Sequence, residues 1–151
     1  MDGNFWIWAG FIVMIFAFGG GAIAVTTLNP LGARVPFTAP VIELSTPLSP
    51  DALTQFELGV QAFQASRHAD AVDEFNRVIA QEPSCAEAFH NRALAQANLG
   101  KLNFAIPDFL RANELYDQQG TKSGVEAVMV ALETLSQRGD RARGSEGRLA
   151  E

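Results

Sequence analysis

Two histidines and one cysteine carry the most reactive side-chain chemistry in this 151-residue chain, and nothing assembles around them. His68 and His90 form no His/Glu metal motif, and no Cys/His metal spacing exists. Cys85 has no partner for an intramolecular disulfide. It reads either as a small half-buried residue or as a reactive thiol, because a helix start at that position would lower its pKa. The chain has no serine-nucleophile motif and no glycine-rich phosphate loop. The expectation is a protein without catalysis, cofactor or metal. His68 falls in a turn and reads as solvated. His90 falls on a helix, as a surface residue or a contact.

Charge narrows the partners. The net charge is −6, and residues 51–137 hold twelve Asp/Glu against six Lys/Arg. Nucleic-acid binding rests on Lys and Arg neutralising phosphates, so an acidic domain argues against that class.

Four kinds of segment must position whatever chemistry the chain has. Residues 1–4 are a short tail. Phe5 to Leu28 is free of charge for twenty-four residues. As a helix it would measure about 36 Å, enough to cross a hydrocarbon core of about 30 Å with some tilt. Trp6 and Trp8 stand at its start, where indoles favour the membrane interface. The rival reading is a signal peptide cleaved after Ala24, but the basic n-region is missing and the apolar run is long. Arg34 follows the span, which places the C-terminal domain on the cytoplasmic side. Small residues recur four apart, Ala17 with Gly21 and Gly20 with Ala24. They either admit a second membrane helix or reflect the ordinary composition of such spans.

Residues 29–50 hold five of the seven prolines and read as an extended, semi-rigid linker. Val41-Ile42-Glu43-Leu44 is apolar enough to dock on the domain that follows. Ser49-Pro50-Asp51 marks a helix start, with Ser49 as the cap and Pro50 at the first helical position. Helices follow near 51–65, 68–81, 85–98, 103–116 and 121–137. Breaks fall at Ser66-Arg67, Pro83-Ser84, Gly100-Lys101 and Gly120. Residues 138–151 are rich in Gly, Arg and Glu and read as a disordered tail.

The helices repeat every thirty-four residues. Ala52 returns as Ala86, Ala71 as Ala105 and Phe75 as Phe109, while Gly59 becomes Ala93 and Val78 becomes Ala112. Small residues stand where helices touch, and a phenylalanine fills the gap between them. One such hairpin cannot bury its apolar face alone, so units must stack. Ala127 falls thirty-four after Ala93, and Val128, Ala131, Leu132 and Leu135 form the stripe of a closing helix.

With its period, and with Leu58-Gly59, Ala71, Phe75 and Pro83 in one unit and Phe89, Ala93, Gly100, Ala105, Phe109 and Ala112 in the next, the chain resembles the tetratricopeptide repeat (TPR) family. The units are 52–85 and 86–119, with 121–137 closing the domain 51–137. The departures are Gln55 in place of a large aromatic, Asp117 in place of proline, and Pro107 inside a helix that Asn103 would cap. The fold this implies is all-α: a single transmembrane helix, then a short array of antiparallel hairpins. The resemblance implies a concave groove lined by the first helix of each unit. By position these are Leu53, Phe56, Val60, Phe63 and Gln64, then Glu87, His90, Leu94, Ala97 and Asn98. The first four make an exposed apolar stripe, with Leu58, Gly59 and Ala62 turned to the partner helix. Either an apolar helix or peptide of a protein partner fills the groove, or the chain covers it with Val41–Leu44. Phe56 and Val60 stand where relatives that grip C-terminal carboxylates use Lys and Asn, which disfavours that mode.

Phe89-His90-Asn91-Arg92-Ala93 and Ala105-Ile106-Pro107-Asp108-Phe109 are also similar to the membrane-anchored TPR proteins of cyanobacteria and chloroplasts that aid photosystem I assembly. That implies a scaffold on the cytoplasmic or stromal side of the thylakoid. A permanent small subunit of a membrane complex, or a secreted or periplasmic repeat protein, are the alternatives.

Overall fold

A computed structural model describes residues 36–148, with side chains to residue 139. The expected span 5–28, its packing residues Ala17, Gly20, Gly21 and Ala24, and Arg34 lie outside the described residues. Among the described residues no helix is long and apolar enough to cross a membrane, and no strand occurs.

Five helices follow one another: α1 Pro50–Gln64, α2 His68–Gln81, α3 Ala86–Asn98, α4 Leu102–Gln118 and α5 Lys122–Arg148. Each packs on the next in sequence. The repeated positions supply the core. Ala52, Ala86, Ala71, Ala105, Phe75, Phe109, Val78 and Ala112 are all fully buried. Gly59 lets α1 and α2 approach, since a Cβ there would stand 2.7 Å from the Phe75 ring. Gly124 does the same for α5 under Tyr116.

Three helices end on the same backbone device. Ser66, Gly100 and Gly120 take positive φ (59°, 74° and 73°). The N–H one residue later reaches back to close the helix: Arg67 to Ala62, Lys101 to Gln96 and Thr121 to Tyr116. Ser66 and Gly100 are thirty-four apart, so the turn belongs to the repeat.

Several local expectations change. Ser49 precedes α1, but its side chain makes no capping bond; Pro50 and Asp51 open the helix as expected. Lys101, not Asn103, precedes α4, so Pro107 lies inside the helix and leaves the carbonyl of exposed Asn103 without its helical donor. Where Pro83 follows the end of α2, the matching Asp117 permits α4 to run on to Gln118. The closing helix keeps its expected stripe, with Leu132 also packed on the core, and departs only at Ala127. Gly124, Val128, Ala131 and Leu135 face inward, while Ala127 is exposed. The closing helix also runs past 137 to Arg148, where a disordered tail was expected.

Candidate functional site

α3 presents a polar line along one face. Glu87, Asn91 and Asn98 are separated by four and seven residues, which at 3.6 residues per turn returns each to nearly the same angle. Residues 36–45 lie against this line as a strap, running from the C-terminal end of α3 towards its N-terminus. Asn98 brackets Phe37: the Phe37 N–H donates to Oδ1 at 3.0 Å and Nδ2 donates to the Phe37 carbonyl at 2.8 Å. Asn91 brackets Val41 the same way, with both bonds at 2.7 Å. At the far end one Glu87 oxygen accepts the Ser45 N–H at 2.8 Å and the Ser45 hydroxyl at 2.6 Å. The strap is thus held every fourth residue, mainly through its backbone. Pro36 and Pro40 immediately precede two of the bracketed residues. Their fixed φ restrains the strap, while the N–H groups that bond belong to non-proline residues.

Side chains add to the hold. Phe37 meets Phe109 edge-on at 6.1 Å. Leu44 and Leu48 pack against the core, whereas Ile42 points outward. Thr121, at the start of α5, donates to the Ser45 hydroxyl at 3.1 Å. Two clefts flank the strap. One, of 340 Å³, is lined by Ser45, Glu87, His90, Tyr116 and Ser123. The other, of 270 Å³, is lined by Phe37, Val41, His90, Leu94 and Ala131.

His90 forms the shared floor. It is 2% exposed, between the rings of Phe109 at 5.7 Å and Tyr116 at 6.0 Å. Burial lowers its pKa to about 4, so the ring is neutral, and its Nδ1 has no partner. His68 is not the solvated turn residue expected. It opens α2, is buried against Phe63, and its Nε2 lies 3.4 Å from Asn98 Nδ2. Burial lowers its pKa also. Cys85 precedes α3, but burial pushes its thiol up to about 12 and overrides the helix start. Its Sγ lies 3.7 Å from Glu87. The reactive-thiol reading is therefore corrected to a buried thiol.

The groove positions of the two units diverge. In unit two, Glu87, His90 and Leu94 are buried and Asn98 is half-buried, all on the strap side of α3. In unit one the expected open stripe is not present. Phe56 and Phe63 are 3% and 2% exposed; Phe56 meets Phe75 edge-on at 5.7 Å and Phe63 meets His68 at 5.0 Å. Val60 is half-buried, while Leu53, Gln64 and Leu58 are exposed. The reason is angular. Ala52, Phe56, Gly59 and Phe63 form a single 4-3-4 stripe that faces α2, and Leu58 lies on the opposite side. A glutamate at Phe56 or Phe63 would therefore disrupt the core.

Two features have no counterpart in the sequence-based expectations. Asn91 is the central bracket, and its spacing from Glu87 and Asn98 was the available signal. Arg92 forms a two-pronged pair with Asp108 at 2.7 and 2.6 Å, reaches Asn76 at 2.7 Å and lies over the Phe89 ring at 5.3 Å. It joins α2, α3 and α4. On the outer face of α4, Leu102, Ile106 and Leu110 are exposed at four-residue spacing. Among the described residues no cluster of three or more His, Cys, Asp or Glu side chains is placed to hold a metal ion.

The helix pairs and one sequence comparison agree. Over 63 residues, 42% of this chain, the sequence is 38% identical to tetratricopeptide repeat protein 14 of Mus musculus. The match spans 8% of that relative's length. No family model matches the chain, and no solved structure matches it. The five helices form a TPR-like array.

Proposed function

We propose that this chain is a membrane-anchored protein–protein interaction scaffold, non-catalytic, that aids the assembly or maintenance of a membrane protein complex such as photosystem I. The observation that carries the interaction role is the α3 groove holding a polypeptide segment by its backbone through Asn91 and Asn98. Amide side chains that bond both N–H and C=O of one residue read a peptide as a peptide, independent of its sequence. The similarity to a TPR protein over 63 residues supports the same reading. The uncharged run Phe5–Leu28 supports the anchor, and Arg34 supports a cytoplasmic or stromal domain. The photosystem role rests on the wording of unit two alone.

Crosslinking in native membranes, followed by identification of the joined proteins, tests this. The expected result is a substoichiometric partner among subunits of a membrane complex. A stable one-to-one subunit would replace the assembly role with a structural one. Intact mass tests the anchor: loss of residues 1–24 would defeat it.

A further inference from the structure

The strap occupies the groove in the manner a ligand would. It has its own register: an aromatic residue, then an apolar β-branched residue four later, then a hydroxyl residue four after that. The aromatic and hydroxyl side chains meet the Phe109 ring and Glu87, and at all three positions the backbone bonds a side chain of α3, Asn98, Asn91 and Glu87 in turn. The segment is outside the helices, joined to α1 through Pro47 and Pro50. Most of its bonds run from its backbone to side chains of α3. Another extended segment of the same register satisfies the same groups without any change in the helices.

We propose that residues 36–45 are an internal substitute ligand, and that a partner protein engages the α3 groove by displacing them with an extended segment of the same register. This rests on the interaction role above. The partner segment carries an aromatic residue at the first of these positions and a serine or threonine at the third, with a residue bonded through its backbone alone at the second. It has no proline at those positions, because each needs its N–H. It has no acid at the third, because the buried Glu87 Oε1 there accepts from an N–H and a hydroxyl, and a second acid would set acceptors against it. The strap reduces apparent affinity in proportion to the fraction of time the groove stands open. Only a matched segment, or a partner already concentrated at the same membrane, overcomes it.

The test uses the full chain in detergent and a labelled synthetic peptide with the chain's own residues 36–46, PFTAPVIELST. The receiving variant is Val41→Pro with Ser45→Pro, which removes two bonding N–H groups and the hydroxyl but alters no helix. This variant is expected to bind the peptide at least about tenfold more tightly than the wild type. Adding Asn91→Ala removes that binding, and a peptide with Ser45→Glu binds at least about tenfold more weakly than the parent peptide. Equal binding by wild type and variant, or no binding by either, overturns the proposal.

Hydrogen exchange on the wild-type chain gives a readout that does not depend on the variant's folding. Saturating peptide should accelerate exchange at the chain's own Val41 and Ser45 amides. Peptide binding without that acceleration overturns displacement, as does a wild-type dimer built on exchanged straps. If a native partner crosslinks equally to wild type and variant, the substitute-ligand proposal fails while the scaffold role stands.

Discussion

Unit one and unit two share a helix pattern and use it differently. At positions thirty-four apart, Leu53 matches Glu87, Phe56 matches His90, Glu57 matches Asn91 and Gln64 matches Asn98. Unit two therefore offers an acceptor and two amides along one line, and it holds a polypeptide. Unit one offers an exposed leucine, an exposed carboxylate and an exposed amide. The Glu57 side chain has no N–H to donate beside an acceptor oxygen, so it cannot bracket a peptide unit as an amide does. Unit one instead buries Phe56 and Phe63 in its own hairpin. The same fold thus gives one unit that completes the core and one that reads a backbone. Three or four side chains make the difference.

The largest effect should come from the recurrent phenylalanine. Phe75→Ala and Phe109→Ala each remove a fully buried ring and should each cost about 3–5 kcal/mol in denaturant unfolding. Only Phe109→Ala should also loosen the strap, because Phe109 meets the strap's Phe37 ring whereas Phe75 meets the Phe56 ring of its own hairpin. Equal exchange at the Phe37 amide in both variants would contradict that division.

Next in size is the pH response of His90, which unit one lacks at the matching Phe56. Its folded pKa lies below its unfolded value, so the unfolded chain binds the extra proton. The neutral ring's stabilising contribution is whole above about pH 6.5 and is lost as pH falls towards about 4, costing about 3 kcal/mol. His90→Gln should reduce the slope of the stability profile between those limits, leaving what the buried His68 contributes. An unchanged slope would show that His90 is not the group responsible.

Arg92 ties the two units together through Asn76 and Asp108. Arg92→Ala leaves a largely buried Asp108 carboxylate without its cation and should cost about 2 kcal/mol. Asp108→Asn should recover less than half of that loss when combined with it; full additivity would mean the two do not interact.

The smallest effect compares the two matched turns. Ser66 takes a left-handed conformation that Gly100 takes without strain. Ser66→Gly should stabilise by up to about 1 kcal/mol, and Gly100→Ser should destabilise by a similar amount. Thermal melting in parallel would show whether the signs are opposite.

The array was legible because its signal is local. Period, small residues and recurrent phenylalanine all follow from helix geometry, and each paired repeat position is buried. The apolar pattern also marked Val41–Leu44 as a docking stretch. Other features were not legible from pattern. Assigning Phe56 and Phe63 to an open groove required knowing the rotation of α1 against α2, which the sequence carries only as an average of several apolar positions. In the closing helix the stripe Val128, Ala131, Leu132 and Leu135 packs inward as expected, and the period fails only at Ala127, thirty-four after Ala93, which is exposed.

By itself, then, the sequence determined an all-helical TPR-like array, the places where its helices touch, and an acidic composition. Tertiary structure alone decided what occupies the groove. Docking of residues 36–45 joins groups forty-two to sixty-one positions apart, Ser45 with Glu87, Val41 with Asn91 and Phe37 with Asn98. Apart from the Ser45 hydroxyl bond to Glu87, those bonds involve the strap's backbone, which every residue except proline presents alike. Residue pattern marked the docking stretch but not which side chains of α3 hold it. That emerges only when the folded helix sets Glu87, Asn91 and Asn98 along one face of α3.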